Sequence, residues 1–147
     1  MGAVLVASVM GVPIRVSAQD ASPALAGIEL VHGPKCPCCA RWATHLEAYG
    51  FRVTVREVPD VDVIQNEWGI PTPLRSCHSA RVEGYIVEGH VPADIVARLL
   101  RERPAAAGIA LPGMPKGSPG MEEGDTKEPY EVVTFDADGT THSFAWR

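Results

Sequence analysis

The sequence predicts an α/β fold with the order β-α-β-α-β-β-α and a C-terminal hairpin extending the sheet. Three observations carry that prediction. Ile28-Glu29-Leu30-Val31 reads as a short strand. Trp42, Leu46 and Tyr49 then recur at i, i+4 and i+7 and mark one buried helical face. Arg52-Val53-Thr54-Val55-Arg56-Glu57-Val58 alternates polar and apolar residues and is rich in β-branched side chains, the pattern of a second strand. Residues 28–58 are therefore a βαβ unit with a right-handed crossover and parallel strands.

Between that first strand and its helix lies Gly33-Pro34-Lys35-Cys36-Pro37-Cys38-Cys39, which holds three of the four cysteines. Pro37 has no N–H to lose and its fixed φ suits the first helical position, so the helix begins at Cys36 or Pro37. It stops at Gly50, a residue suited to the left-handed C-terminal position. The free N–H groups of the first turn and the positive end of the helix dipole favour thiolate over thiol. Metal binding and disulfide exchange both require a thiolate, so the turn alone leaves both open. Cys36 and Cys39 make a C-x-x-C pair, and Cys38 makes a C-x-C with Cys36. Cys39 shares a face with Trp42, Ala43 and Leu46, which makes it the more buried of the pair.

Asp60 caps a short helix through Trp68, with Val61, Ile64 and Trp68 on one side and Gly69, Pro71 and Pro73 beyond its end. Residues 71–76 are irregular and deliver Cys77 beside His78. Ser79-Ala80-Arg81-Val82 and Tyr85-Ile86-Val87-Glu88 flank Glu83-Gly84, a tight hairpin. Pro92 opens a helix whose stripe is Ile95, Val96, Leu99 and Leu100, and Pro104 ends it. Residues 104–129 shift to proline, glycine and charge and read as a loop, with Met114 and Met121 seven apart. That methionine pair is either a soft-metal arm or core filler. Glu131-Val132-Val133-Thr134-Phe135 and residues 140–146 flank Asp136-Ala137-Asp138-Gly139 as the closing hairpin.

This order, with a C-x-x-C after the first strand, is that of the thioredoxin fold. There the loop entering the third strand lies against the C-x-x-C, and here Ser76-Cys77-His78 holds that place. The fold therefore brings Cys36, Cys38, Cys39, Cys77 and His78 to one spot.

A chain of 147 residues, 46% hydrophobic and 21% charged, suits one domain. Its net charge of -5, without a basic run, argues against nucleic-acid binding. Residues 3–14 are almost wholly apolar and Val16-Ser17-Ala18 offers a cleavage site, so residues 1–18 read as a signal peptide, though nothing basic precedes the apolar run. Residues 19–27 are then a mature N-terminal tail, and residues 28–147 the thioredoxin-like domain. The apolar run falls short of the ~20 residues that span a bilayer, so no stable membrane insertion is expected. In an oxidising compartment four cysteines would by default form two structural disulfides. Three cysteines within four residues make a poor staple set, because Cys38 with Cys39 closes a strained ring and Cys36 with Cys39 a very small loop. Clustering of this kind points to chemistry.

Cys36-Pro37-Cys38-Cys39-Ala40-Arg41-Trp42, Ser76-Cys77-His78-Ser79-Ala80, Gly84-Tyr85-Ile86-Val87-Glu88-Gly89-His90-Val91-Pro92, Pro112-Gly113-Met114-Pro115 and Gly117-Ser118-Pro119-Gly120-Met121 together resemble the CopG-like bacterial copper-resistance proteins. That family was long catalogued as a metal-binding domain of unknown function, and it is unrelated to the plasmid repressor that shares its name. The resemblance covers residues 28–146. It implies a periplasmic, thioredoxin-like protein that binds copper at the cysteine cluster and interconverts Cu(I) and Cu(II), with other periplasmic copper-handling proteins as partners. By the match Cys36, Cys38, Cys39 and Cys77 supply thiolates, and His78, Met114 and Met121 are softer or outer ligands. Pro37 and Lys35 depart from the Gly and Thr usual in that family, and Pro37 stiffens the turn. His32 reads as a strand-end histidine in solvent, and His45 and His142 as surface residues. His90 reads equally as a ligand or as packing for the following helix.

Three functions compete. The first is a copper-binding protein for resistance or trafficking, with copper-dependent oxidoreductase activity left open. The second is a thiol-disulfide oxidoreductase in which Cys36 attacks and Cys39 resolves, against which Cys38 and Cys77 are superfluous thiols that invite wrong pairings. The third is a structural zinc module, for which Cys77 and His78, as chain neighbours, make a poor second ligand pair. Thiolate with methionine in reserve suits Cu(I) best.

Overall fold

A computed structural model describes residues 25–147. Residues 1–18 and most of the tail at 19–27 lie outside the described residues.

The βαβ unit runs through β1 (Gly27–His32), α1 (Pro37–Tyr49) and β2 (Arg52–Glu57), with β1 and β2 parallel. Trp42, Ala43 and Leu46 are buried on the inner face of α1, whereas Tyr49 is exposed. Gly50 closes the helix at φ 114, and the Phe51 N–H returns to the Leu46 carbonyl, a bond that only a left-handed residue at the turn allows.

Then come α2 (Val61–Glu67), a 3-10 turn at Thr72–Leu74, β3 (His78–Val82), β4 (Tyr85–Glu88) and α3 (Ala93–Glu102). Asp60 caps α2 by accepting from the Asp62 N–H, as its position predicts. The buried residue of α2, however, is Gln65, while Val61, Ile64 and Trp68 are half-buried. An apolar stripe is not what seats this helix; the Gln65 amide is held by polar groups beneath it. Glu83 and Gly84 have φ 46 and 90, the two positive values that a tight two-residue hairpin needs. In α3, Ile95, Val96 and Leu99 are buried with Ala93, and Leu100 is partly so.

The region 104–129 is not wholly loop. Gly108–Ala110 forms β5, buried and paired in parallel with β4 and antiparallel with β6 (Glu131–Phe135). Gly108 lies so close to β4 that a Cβ would meet the Ile86 carbonyl oxygen at 2.2 Å, so only glycine fits there. With β7 (Thr141–Trp146) paired to β6, the described residues form one seven-stranded sheet in the order β2-β1-β3-β4-β5-β6-β7. The C-terminal hairpin extends the sheet, as its alternation predicts.

Alternation sorts the core to two faces. Leu30, Ala80, Val87 and Ile109 pack with Trp42, Leu46, Ile95 and Leu99 beneath α1 and α3. Ile86, Ala110 and Phe135 point the other way and pack with Ile70 and Leu74. Among the described residues no helix is long and apolar enough to cross a membrane.

Candidate metal centre

Strand register assembles the site. In the antiparallel pairing of β1 with β3, His32 stands opposite His78, so the residue before β3, Cys77, falls beside the turn that follows β1. The Gly33 N–H donates to the Cys77 carbonyl and ties the two segments together. Cys36 is the N-cap of α1, its side chain makes no capping bond, and Pro37 begins the helix as predicted. Cys36, Cys38 and Cys39 therefore sit around the open end of α1.

The Cys77 sulfur lies 2.8 Å from that of Cys36, 3.7 Å from Cys38 and 3.9 Å from Cys39. All four sulfurs lie within 4.8 Å of one another. Cys36 and Cys39 are joined as a disulfide with Cα atoms 5.5 Å apart, and Cys38 and Cys77 are free thiols. Cys39 is 1% exposed against 9% for Cys36, the order its helical face predicts. Burial, with Cys38 and Glu88 adding to it, pushes the Cys77 thiol up to about 12. Without a metal, Cys77 thus keeps its proton, in contrast to the thiolate expected at the open helix end.

His78 is fully buried, with its Nδ1 3.8 Å from the Cys77 sulfur. Its ring centre is 4.9 Å from those of both Trp42 and His90. Burial pushes its pKa down to about 3, with His90 adding to the effect and the Gly89 carbonyl opposing it, so the imidazole is neutral. His90 is also fully buried and neutral for the same main reason, and its Nδ1 lies 2.7 Å from the Pro119 carbonyl oxygen. The Trp42 indole N–H donates to the Val91 carbonyl at 2.9 Å, fastening α1 to the turn between β4 and α3.

The methionines lie between β5 and β6, both half-buried. Their loop is pinned to the site at Gly120, where a Cβ would come within 3.0 Å of His90 Nδ1, 3.1 Å of the Trp42 nitrogen and 3.2 Å of the Cys38 carbonyl oxygen. Met121 follows that contact directly. Met114 sits seven residues before Met121, in a turn with φ 46.

Sequence reasoning missed the polar bracket behind Cys77. Glu88, fully buried, accepts from the Ser76 N–H at 2.6 Å, the Ser76 hydroxyl at 2.8 Å, the Ser79 hydroxyl at 2.5 Å and the Gln65 amide at 3.3 Å. Gln65 also donates to the Ser76 carbonyl. The residues on both sides of Cys77-His78 are therefore clamped to one carboxyl. Burial pushes that carboxyl up to about 7, although the serine hydrogen bonds pull it down. A Glu at the end of an alternating strand was the available signal.

His45 is not a surface residue. It is half-buried, and its Nε2 accepts from the N–H of Ala93, the first residue of α3. His32 is half-buried, with its Nδ1 2.7 Å from the Gly33 carbonyl oxygen. His142 is exposed, as expected.

The family described as "Protein of unknown function, DUF411" matches residues 74–121, from the 3-10 turn through Met121. None of the curated proteins matches the chain. Two solved structures do. "Copper resistance protein copG- Form 1" has 41% identity and a TM-score of 0.77, covering 82% of this chain and 96% of that one. "Copper resistance protein copG- Form 2" has 41% identity and a TM-score of 0.78, covering 83% and 98%. Identity of that order across nearly the whole of those proteins means that this chain belongs to the CopG copper-resistance protein family.

Proposed function

We propose that this is an exported, periplasmic copper-binding protein for copper resistance or trafficking, which holds copper at Cys36, Cys38, Cys39 and Cys77. The observation that carries the reading is the convergence of four sulfurs, from segments 41 residues apart, within 4.8 Å of one another. Soft sulfur donors select Cu(I) over harder ions, and the chain provides further soft or borderline donors in His78, Met114 and Met121.

The disulfide must open before all four sulfurs can bind. Two electrons and two protons from a dithiol reductant convert Cys36–Cys39 to two thiols. Binding then displaces protons, that of Cys77 included, because only the thiolate ligates. The same pair provides a balanced route between oxidation states. As thiolates, Cys36 and Cys39 give one electron each to two Cu(II) ions, forming the S–S bond and leaving two Cu(I) ions.

The closed Cys36–Cys39 bond also favours a second reading, thiol-disulfide exchange with Cys36 as the attacking sulfur. One titration separates the two. Reduced and disulfide-closed protein are titrated with Cu(I) against a competing chelator and with Zn(II), while reduction of a model disulfide is assayed in parallel. The copper reading predicts that reduced protein prefers Cu(I) to Zn(II) and that closed protein loses most of its copper affinity. Reduced protein that loses every Cu(I) ion to the chelator while turning over disulfides efficiently would replace copper with the dithiol enzyme.

A further inference from the structure

β2 is an edge of the seven-stranded sheet, and among the described residues no strand pairs with its outer side. Arg52 and, just past the strand, Val58 donate their N–H groups inward, to the Ala26 and His32 carbonyls. Such groups alternate along a parallel pair, so the N–H and C=O groups of Val53, Val55 and Glu57 point away from the sheet. Three residues thus offer a template for another strand.

The side chains of this edge sort by face. Val53 packs against the main core, and Val55, on the same face, is 50% exposed. Arg52, Thr54 and Arg56 lie on the other face and, with Glu29, line an open basin of about 620 Å³. Arg81 stands opposite Glu29 on β3 and lies over the Trp68 ring. Glu29 is the one carboxylate in this set, 3.2 Å from Arg56. Three arginines therefore face one acid, the reverse of the balance in a chain of net charge -5. Arginines here also keep copies of the chain apart. Antiparallel pairing of two β2 strands about Thr54 would set Arg52 against Arg56 of the second copy, which like charges oppose. A strand with acidic side chains at alternate positions meets attraction instead.

We propose that the β2 edge accepts an extended acidic segment of a partner protein as an added strand. The segment's backbone pairs with Val53, Val55 and Glu57, and its carboxylates face Arg52 and Arg56. β1 and β2 are parallel and run toward the cysteine turn, with Glu57 in register with His32 at the end of β1. An added strand lies two strand spacings, about 10 Å, from β1, so the partner docks beside the metal centre. The surface goes beyond the copper reading and stands without it.

The test uses reduced, metal-free, 15N-labelled protein and two synthetic peptides, one alternating valine with glutamate and one alternating valine with lysine. Backbone amide spectra and hydrogen exchange follow the edge. The expected result is that the glutamate peptide shifts the Val53, Val55 and Glu57 amides and slows their exchange, less so at high salt, while the lysine peptide does neither. Arg52→Glu together with Arg56→Glu should weaken binding about tenfold or more. Val55→Pro removes an outward N–H without touching the bonds to β1, and should do the same while the rest of the spectrum stays in place. No response to the glutamate peptide, an equal response to both peptides, or shifts confined to arginine side chains overturns the added strand. So do shifts of these amides on raising the protein concentration alone, which would make a second copy the occupant.

Discussion

Two turns lead from a strand into a helix beside the same spot, and they treat the end of their helix in opposite ways. From β1 into α1 the chain passes through Cys36 and Pro37, no side chain of the N-cap closes the helix, and sulfur crowds the open end. From β4 into α3 it passes through His90 and Pro92, again without an N-cap side-chain bond, but the first helical N–H is stopped by His45 reaching over from α1. One helix end is left free for reactive side chains, and the other is plugged by a histidine. The comparison shows that proline at a helix start does not by itself mark a site. What matters is whether a neighbouring element uses up the donors that proline leaves exposed.

The comparison breaks most visibly at Cys77. Cys77→Ser should lower Cu(I) affinity by about 100-fold or more, because it removes a charged, polarizable donor, whereas His78→Ala should cost less. Competition against a Cu(I) chelator checks the order. Reduction of a model disulfide should survive Cys77→Ser, since Cys36 and Cys39 alone carry that reaction.

Next in size is Gly120→Ala. Gly120 has φ 87, and a Cβ there would lie 3.0–3.2 Å from His90, the Trp42 backbone nitrogen and the Cys38 carbonyl oxygen, so a methyl group adds crowding to backbone strain. A loss of about 1–3 kcal/mol, read from denaturant unfolding, is expected. An unchanged midpoint would mean that the methionine loop is not fastened to the sulfur-bearing turn.

Glu88→Gln sharpens the comparison through pH. The folded pKa of Glu88 is raised from 4.5 to about 7, so the folded state binds the proton more tightly than the unfolded chain. Its contribution is full below pH 4.5 and is lost as pH rises through 7, on the order of a few kcal/mol. His78, lowered from 6.5 to about 3, acts in the opposite sense and costs stability as pH falls from 6.5. His90 and His45, also lowered by burial, act with His78, so Glu88 offsets only part of the stability that metal-free wild type loses as pH falls from 6.5 to 5. Glu88→Gln lacks that offset and should lose stability more steeply as pH falls over that range, and parallel unfolding curves for the two proteins would refute the bracket's role.

The smallest effect is expected at His142. It is exposed on β7, and His142→Ala should change stability by less than about 0.5 kcal/mol and leave copper binding unaltered.

Much of this was legible because it is local. The run Ile28-Glu29-Leu30-Val31, the helical spacing of Trp42 and Leu46 and the alternation of residues 52–57 identify β1, α1 and β2 without a structure, and the order of the elements brings Cys77 to Cys36. The rest depends on partners that local patterns do not reveal. Gly108-Ile109-Ala110 is too short to display a period and becomes a strand only because β4 and β6 lie on either side. Gln65 is polar, so a search for apolar stripes passes over it, yet it is the buried residue of α2 because Glu88 and Ser79 wait 23 and 14 positions away. His45 and His90 take their places from Ala93 and Pro119, 48 and 29 residues off.

The central claim is that sulfurs from two distant segments make one copper site. X-ray absorption at the copper edge, on reduced protein loaded below one equivalent of Cu(I), tests it most directly. The account predicts a first shell dominated by sulfur, with fewer sulfur neighbours in Cys77→Ser. A shell of nitrogen and oxygen alone, or a sulfur shell that Cys77→Ser leaves unchanged, would contradict it.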